Sequence, residues 1–306
     1  MKLAFVNKLI ELAEQDPRIM LLTGDLGFQI FDDFQNRFGS RFVNVGVAEA
    51  QMVCAAAGLA FVGWKPVTYS IASFMTSRCY EQIKISVAYP HLPVVIVGAG
   101  GGFAYGSSGV THHAADDIAL MSSIPGLSIV LPGDPNEVEQ LLPQIFKLSR
   151  PTYFRIGRGK EPLYEVKDPA VLGQARLLHD GQDIAILSTG DIASEVLSAV
   201  KALNCQEIFP IAYQFHTIKP LDTITLGNLL KKTKHIITVE EHISHGGLNS
   251  AVRGWLSTQK NTPELIGLSA DDEFVLGSPE QHEIRSKCGI NDKAIVDEVL
   301  RLSKNC

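Results

Sequence analysis

Glu49 closes the run Asn44-Val45-Gly46-Val47-Ala48-Glu49 and stands just before the apolar stretch Met52 to Ala60. The residues read as a strand that ends, a glycine that turns the chain, and a lone carboxylate entering an apolar helix. Such a carboxylate is costly unless it is paired or hydrogen-bonded. Its partner is therefore either another side chain or a ligand, and a ligand is the reading preferred. The protonation of a carboxyl group in a desolvated site is easily tuned, which suits proton transfer. Taken alone, Glu49 is as well explained as a structural carboxylate at a helix N-terminus.

Other chemically suggestive runs are weaker. The Gly98-Ala99-Gly100-Gly101-Gly102 loop invites a nucleotide, but Phe103 stands where the dinucleotide fingerprint needs its third glycine. Gly58 and Gly63 have P-loop spacing, with Trp64 in place of the lysine. His112-His113 with Asp116, and His242 with His245, lack a third metal ligand at a usable spacing. Hydrogen-bonded loop histidines explain them more simply. No serine lies in a Gly-x-Ser-x-Gly elbow.

These residues are set among alternating helices and short apolar strands. Leu3 to Glu14 has helical apolar spacing. Strands are expected at Ile19 to Thr23, Phe42 to Val45, Pro66 to Tyr69, Pro93 to Val97, Ser128 to Leu131 and Thr152 to Arg155. Helices are expected at Gln51 to Ala60 and through Tyr80 to Ile83. Arg158 to Arg176 reads as a linker, after which Asp183 to Ser188 opens a second unit. A helix from Ile192 to Leu203 with Asp191 as N-cap follows, then strands near Glu207 to Phe209, Ile236 to Val239 and Leu265 to Leu268. Asp292 to Leu302 closes the chain as an amphipathic helix. The fold class is α/β, with two domains, each a mostly parallel sheet flanked by helices. Ligands of open parallel sheets sit beyond the carboxyl ends of the strands. That rule gathers Asp25, the Glu49 turn, the loop after Tyr69 and residues 98–113 on one edge.

Composition agrees. The chain has 306 residues, enough for two domains of ~100–200 residues each. Its net charge of −6 and the lack of a basic run give no reason to bind nucleic acid or an anionic membrane. The apolar run at the N-terminus is broken by Asn7 and Lys8, unlike a signal peptide, and no apolar stretch approaches a membrane span. Cys54, Cys79, Cys205, Cys288 and Cys306 are odd in number and lack Cys-x-x-Cys spacing. Free thiols in a reducing cytoplasm are the simplest reading.

Several motifs occur in one order: Asn44 to Glu49, Ala57-Gly58-Leu59-Ala60, Tyr69 to Phe74, Arg78, Tyr80-Glu81-Gln82, Gly109-Val110-Thr111-His112 and Leu131 to Pro135. In this they resemble the pyrimidine-binding half of transketolases and of 1-deoxyxylulose-5-phosphate synthases. The rest, including Thr238-Val239-Glu240-Glu241-His242 and Gly246-Gly247, is similar to the transketolase C-terminal domain. The resemblance implies a pyrimidine-binding domain over 1–172 and a C-terminal domain over 173–306.

The resemblance also implies thiamine diphosphate as cofactor. The glutamate matching Glu49 hydrogen-bonds pyrimidine N1′ and favours the imino tautomer that removes the thiazolium proton. Phe74 matches an aromatic that packs on the pyrimidine, and Ile71 replaces a second one. Arg78 and Asp25 are further expected cofactor-side residues. His112 matches a catalytic histidine facing the substrate. Ser107 and Ser108 stand where the family has two acids, one of which reads a donor hydroxyl, so the usual xylulose-phosphate donor is in question. Ser108, Arg155 and Arg158 are the other expected substrate ligands, the arginines for a phosphate or anionic tail.

Diphosphate and Mg²⁺ in this family are held by a Gly-Asp-Gly motif, which this chain lacks. The chain is therefore expected to be one half of a split transketolase, paired two-plus-two with a separate diphosphate-binding subunit. The expected reaction moves a two-carbon ketol unit between sugars or to a modified acceptor. Two other readings stay open: the β subunit of a 2-oxoacid dehydrogenase or a decarboxylating ligase, and a non-catalytic protein that kept the fold.

Overall fold

The computed structural model describes residues 1–159, 161–166 and 168–304. Its strands, in chain order, are β1 (Ile19–Thr23), β2 (Phe42–Asn44), β3 (Lys65–Ile71), β4 (Val95–Ala99), β5 (Ser128–Val130), β6 (Thr152–Ile156), β7 (Arg176–His179), β8 (Asp183–Ser188), β9 (Ile211–Gln214), β10 (Thr217–Lys219), β11 (Thr233–Ile243) and β12 (Glu264–Ala270). Among the described residues they form a seven-stranded sheet, ordered β10-β5-β6-β4-β3-β1-β2, and a five-stranded sheet, ordered β12-β11-β8-β9-β7. Every pairing is parallel except β10 with β5 and β7 with β9.

β1, β4, β5 and β6 are buried along their whole length, which explains their unbroken apolar runs. The helices Lys2–Gln15 and Pro135–Ile145 cover one face of the larger sheet with Phe5, Leu9, Val138 and Leu141. The helix Glu49–Phe61 covers the other with Met52, Val53 and Ala56. Asp134 caps Pro135–Ile145 by accepting from the Glu137 amide at 2.9 Å.

Four sequence expectations change. Asp191 lies in a short 3-10 turn and does not cap the helix, which runs Ala193–Asn204. Its carboxylate is taken by Arg285 at 2.8 Å and Gln281 at 3.1 Å. The strand expected near residues 207–209 lies at β9, because Glu207 takes a left-handed turn (φ +60°) that ends the preceding helix. The 158–176 stretch is an anchored strap rather than a free linker. Tyr164 and Arg176 are buried, and Arg176 donates to Glu137 at 3.2 Å. Finally, β10 leaves the second half of the chain to pair with β5, so the larger sheet draws on both halves.

The two sheets are joined by polar groups as well as by packing. The Phe103 amide donates to Glu241, whose carboxylate also pairs with Arg285. Ile243 donates to the Ala115 carbonyl at 2.8 Å. Gly246 (φ +81°) packs where a Cβ would strike Ala119. No helix among the described residues is long and apolar enough to cross a membrane. Cys54, Cys79, Cys205 and Cys288 are free, and Cys306 lies outside the described residues.

Candidate active site

β2 ends at Asn44, Gly46 turns the chain with φ +73°, and the helix Glu49–Phe61 starts at Glu49 itself. The Ala48 N-cap has no side-chain acceptor, so the Glu49 carboxylate also offsets the positive end of the helix. Glu49 is 2% exposed. It is not left bare: Ser70, on β3, donates to Oε1 at 3.0 Å, and Arg78 donates to Oε2 at 3.1 Å. The carboxylate that the sequence assigned to a ligand therefore has protein partners too. Gly24 admits it, since a Cβ there would lie 3.3 Å from Glu49 Cγ.

The apolar wall comes from the end of β3 and the helix Ala72–Ser77. Ile71 is buried, and the Arg78 guanidinium lies 3.9 Å from the Phe74 ring centroid. A flat hydrogen-bonding group thus already spans the Phe74 face and the Glu49 carboxylate. Phe74 also meets His112 edge-on, with ring centroids 5.1 Å apart. His112 Nδ1 pairs with Thr111 Oγ1 at 2.9 Å, leaving Nε2 without a protein partner among the described residues. Glu49, Phe74, Arg78 and His112 are therefore linked contact by contact.

Beyond His112 lies Tyr105, with ring centroids 6.1 Å apart. Gly100 (φ +71°) makes room for it, because a Cβ there would strike the ring. Arg158 stacks on Tyr105 at 4.7 Å and donates to the Ala104 carbonyl at 3.3 Å. Lys2 donates to the Tyr105 hydroxyl at 3.2 Å. Two cations thus converge beside the histidine; sequence reasoning found Arg158 but missed Lys2 and Tyr105. Ser107 and Ser108 are exposed on the 3-10 turn Gly106–Ser108.

Arg155 lies elsewhere. It is buried and donates to Asp117 at 3.0 Å, while Tyr153 holds the other oxygen of Asp117 at 2.7 Å. Its stem fills the space against Gly101, and its tip lies against Gly190. That commitment removes it from the role of free anion ligand expected from sequence. Asp25 is exposed at φ +59° and exchanges hydrogen bonds with Asn44 at 3.0 and 3.1 Å. It sits on the Glu49 edge but touches neither Phe74 nor His112.

A cavity of about 560 Å³ opens beside these residues. Phe74, Arg78, Thr111 and His113 line one side, and Asp272, Glu273 and Phe274 of the second domain line the other. Glu49 does not line it, because Arg78 lies between. A buried carboxylate, an aromatic face and an apolar neighbour are the donor set a pyrimidine needs, so the residues fit that end of thiamine diphosphate. The described residues hold no group of three or more candidate metal ligands.

Residues 1–162 match the model of the transketolase pyrimidine binding domain, and residues 173–285 match that of the transketolase C-terminal domain. The chain is 36% identical to an apulose-4-phosphate transketolase subunit of Phocaeicola vulgatus, over 98% of this chain and 96% of that one. It is also 36% identical to the 6-deoxy-6-sulfo-D-fructose transketolase subunit SqwH of Clostridium sp. strain MSTE9, over 81% of this chain and 77% of that one. Among solved structures it is similar to a split-gene transketolase described as an inactive β4 tetramer. The identity there is 30%, the TM-score is 0.89, and 98% of this chain and 96% of that one are covered. The chain belongs to the transketolase family.

Proposed function

We propose that this chain is the pyrimidine-binding subunit of a two-polypeptide, thiamine diphosphate-dependent transferase that moves a two-carbon ketol unit between sugars or to a modified sugar acceptor. The observation that carries the reading is Glu49, a buried carboxylate at one end of a continuous set with Phe74 and His112. When bound, thiamine diphosphate supplies the electron sink for breaking a carbon–carbon bond beside a carbonyl. Glu49 holds the proton at the pyrimidine nitrogen. Phe74 and Ile71 give the ring an apolar seat. Arg78 yields its bond to Glu49 as the ring enters. His112, oriented by Thr111, offers Nε2 to the substrate carbonyl and hydroxyls.

Lys2 and Arg158 around Tyr105 favour a substrate with an anionic terminus. Charge-assisted hydrogen bonds suit a phosphate or another oxyanion. Ser108, exposed near His112, offers a hydroxyl where a carboxylate would bind a donor more strongly. The relatives named for apulose 4-phosphate and 6-deoxy-6-sulfo-D-fructose support a specialised sugar rather than the common donors.

We also propose a separate polypeptide that brings the diphosphate site and Mg²⁺, and self-association of this chain in a two-plus-two assembly. The missing Gly-Asp-Gly motif supports the first, and the β4 relative supports the second. Division of the chain near residue 172 and residence in a reducing cytoplasm complete the proposal, the latter supported by exposed free Cys54 and Cys205. The test is ketol transfer by the reconstituted pair with wild-type chain or Glu49→Gln. Loss of turnover is expected in the variant; near-normal turnover would overturn the assignment.

A further inference from the structure

The helix Glu49–Phe61 is apolar on both faces. Met52, Val53, Ala56, Ala57 and Ala60 are buried against the sheet. The opposite face carries Gln51, Cys54, Gly58 and Phe61, all exposed, flanked by half-buried Ala55 and Leu59. No charged residue lies on it. Phe61 is 78% exposed and Val62, just beyond, 71%. On the neighbouring turn, Ile85 and Tyr89 are exposed as well. A helix that is apolar all round belongs in an interior.

Gly58 points the same way independently. It sits in the body of the helix with an ordinary helical backbone, and a Cβ there would meet nothing within 4 Å. Glycine at such a position costs ~1 kcal/mol relative to alanine. Nothing in this chain's own packing requires the missing side chain. Close approach of another backbone does, and Cys54 and Gly58, four residues apart, form the low ridge across which two helices pack closely.

We infer that this face meets the same face of a second copy of the chain, crossing helix on helix at Cys54 and Gly58 with Phe61 and Val62 packed alongside. The inference rests on the self-association proposed above and names its surface. A two-fold contact must be self-complementary. An uncharged face with small residues at its centre and large apolar residues at its end satisfies that, and it offers no charge for an oppositely charged partner. The diphosphate-binding polypeptide has another surface to use: Phe28 and Val47, 75% and 72% exposed, flank the Asp25 and Glu49 edge where the cofactor must bridge the chains. Because Glu49 is the first residue of the same helix, the contact would also fix the orientation of the carboxylate.

The experiment uses the full chain alone, without cofactor or the other polypeptide, so its outcome does not depend on the assigned activity. Sedimentation velocity should show the wild type as a dimer or larger. Gly58→Glu, which buries an unpaired charge at the crossing, should weaken association at least ~100-fold. Gly58 is exposed in the single chain, so circular dichroism of the variant should match the wild type. As a readout on the unaltered fold, a short bismaleimide should cross-link the wild type into dimers through Cys54, and Cys54→Ser should abolish that product. A wild-type chain that is monomeric at every concentration overturns the inference. So does a Gly58→Glu variant that assembles normally, or a Cys54 that becomes shielded only when the diphosphate-binding polypeptide is added.

Discussion

At the scale of single residues, the site is a carboxylate that must serve two partners in turn. Ser70 and Arg78 hold Glu49, and Arg78 lies on Phe74 where a flat heterocycle would stack. Arg78→Ala should therefore alter the cofactor dissociation constant of the reconstituted pair, read by calorimetry, while Glu49→Gln mainly lowers turnover. A cofactor affinity untouched by Arg78→Ala would show that the guanidinium has no part in the seat. Lys2 and Arg158 belong to the substrate. Replacing either with alanine should raise KM for a phosphorylated donor about 10- to 100-fold, the scale of one lost charge-assisted hydrogen bond, and leave KM for the dephosphorylated analogue unchanged. Equal effects on both substrates would contradict an anion site. Glu49, Phe74 and His112 were legible because each sits in a short local pattern. Lys2 was not: it reaches Tyr105 across 103 residues of sequence, and only the fold brings them together.

At the scale of elements, apolar runs found the long buried strands because a strand covered on both faces needs no alternation. β7 and β10 escaped because they are short, antiparallel and partly polar, and their pairing depends on partners distant in sequence. Asp191 was misread for a related reason. An aspartate before a helix looks like a cap, but Arg285, 94 residues away, outcompetes the helix amides with a full charge. That arginine holds Asp191, Glu195 and Glu241 together. Arg285→Met should therefore leave buried carboxylates uncompensated and destabilise the chain by ~3–5 kcal/mol in urea unfolding. A loss below ~1 kcal/mol would mean that water reaches these carboxylates, as at an exposed ion pair.

At the scale of the molecule, two buried groups set opposing pH dependences. Burial pushes Glu137 from 4.5 up to about 7, so its stabilising contribution is full below pH 4.5 and is lost as pH rises through 7. Burial pushes His216 from 6.5 down to about 4, so its contribution is full above pH 6.5 and is lost as pH falls through 4. The two offset each other between these limits. Glu137→Gln should remove one of them, so that the stability of the wild type relative to the variant rises as pH falls from 7 to 4.5, by at most ~1.4 kcal/mol per pH unit. A difference that does not change with pH would contradict the raised carboxyl. The central claim concerns the assembly, and reconstitution tests it most directly. The chain should be titrated into a polypeptide carrying the Gly-Asp-Gly motif, with thiamine diphosphate and Mg²⁺, and ketol transfer followed. The expected result is no transfer by this chain alone and activity that saturates at one chain per partner. Transfer by the chain alone, or none at any ratio with its partner, would contradict it.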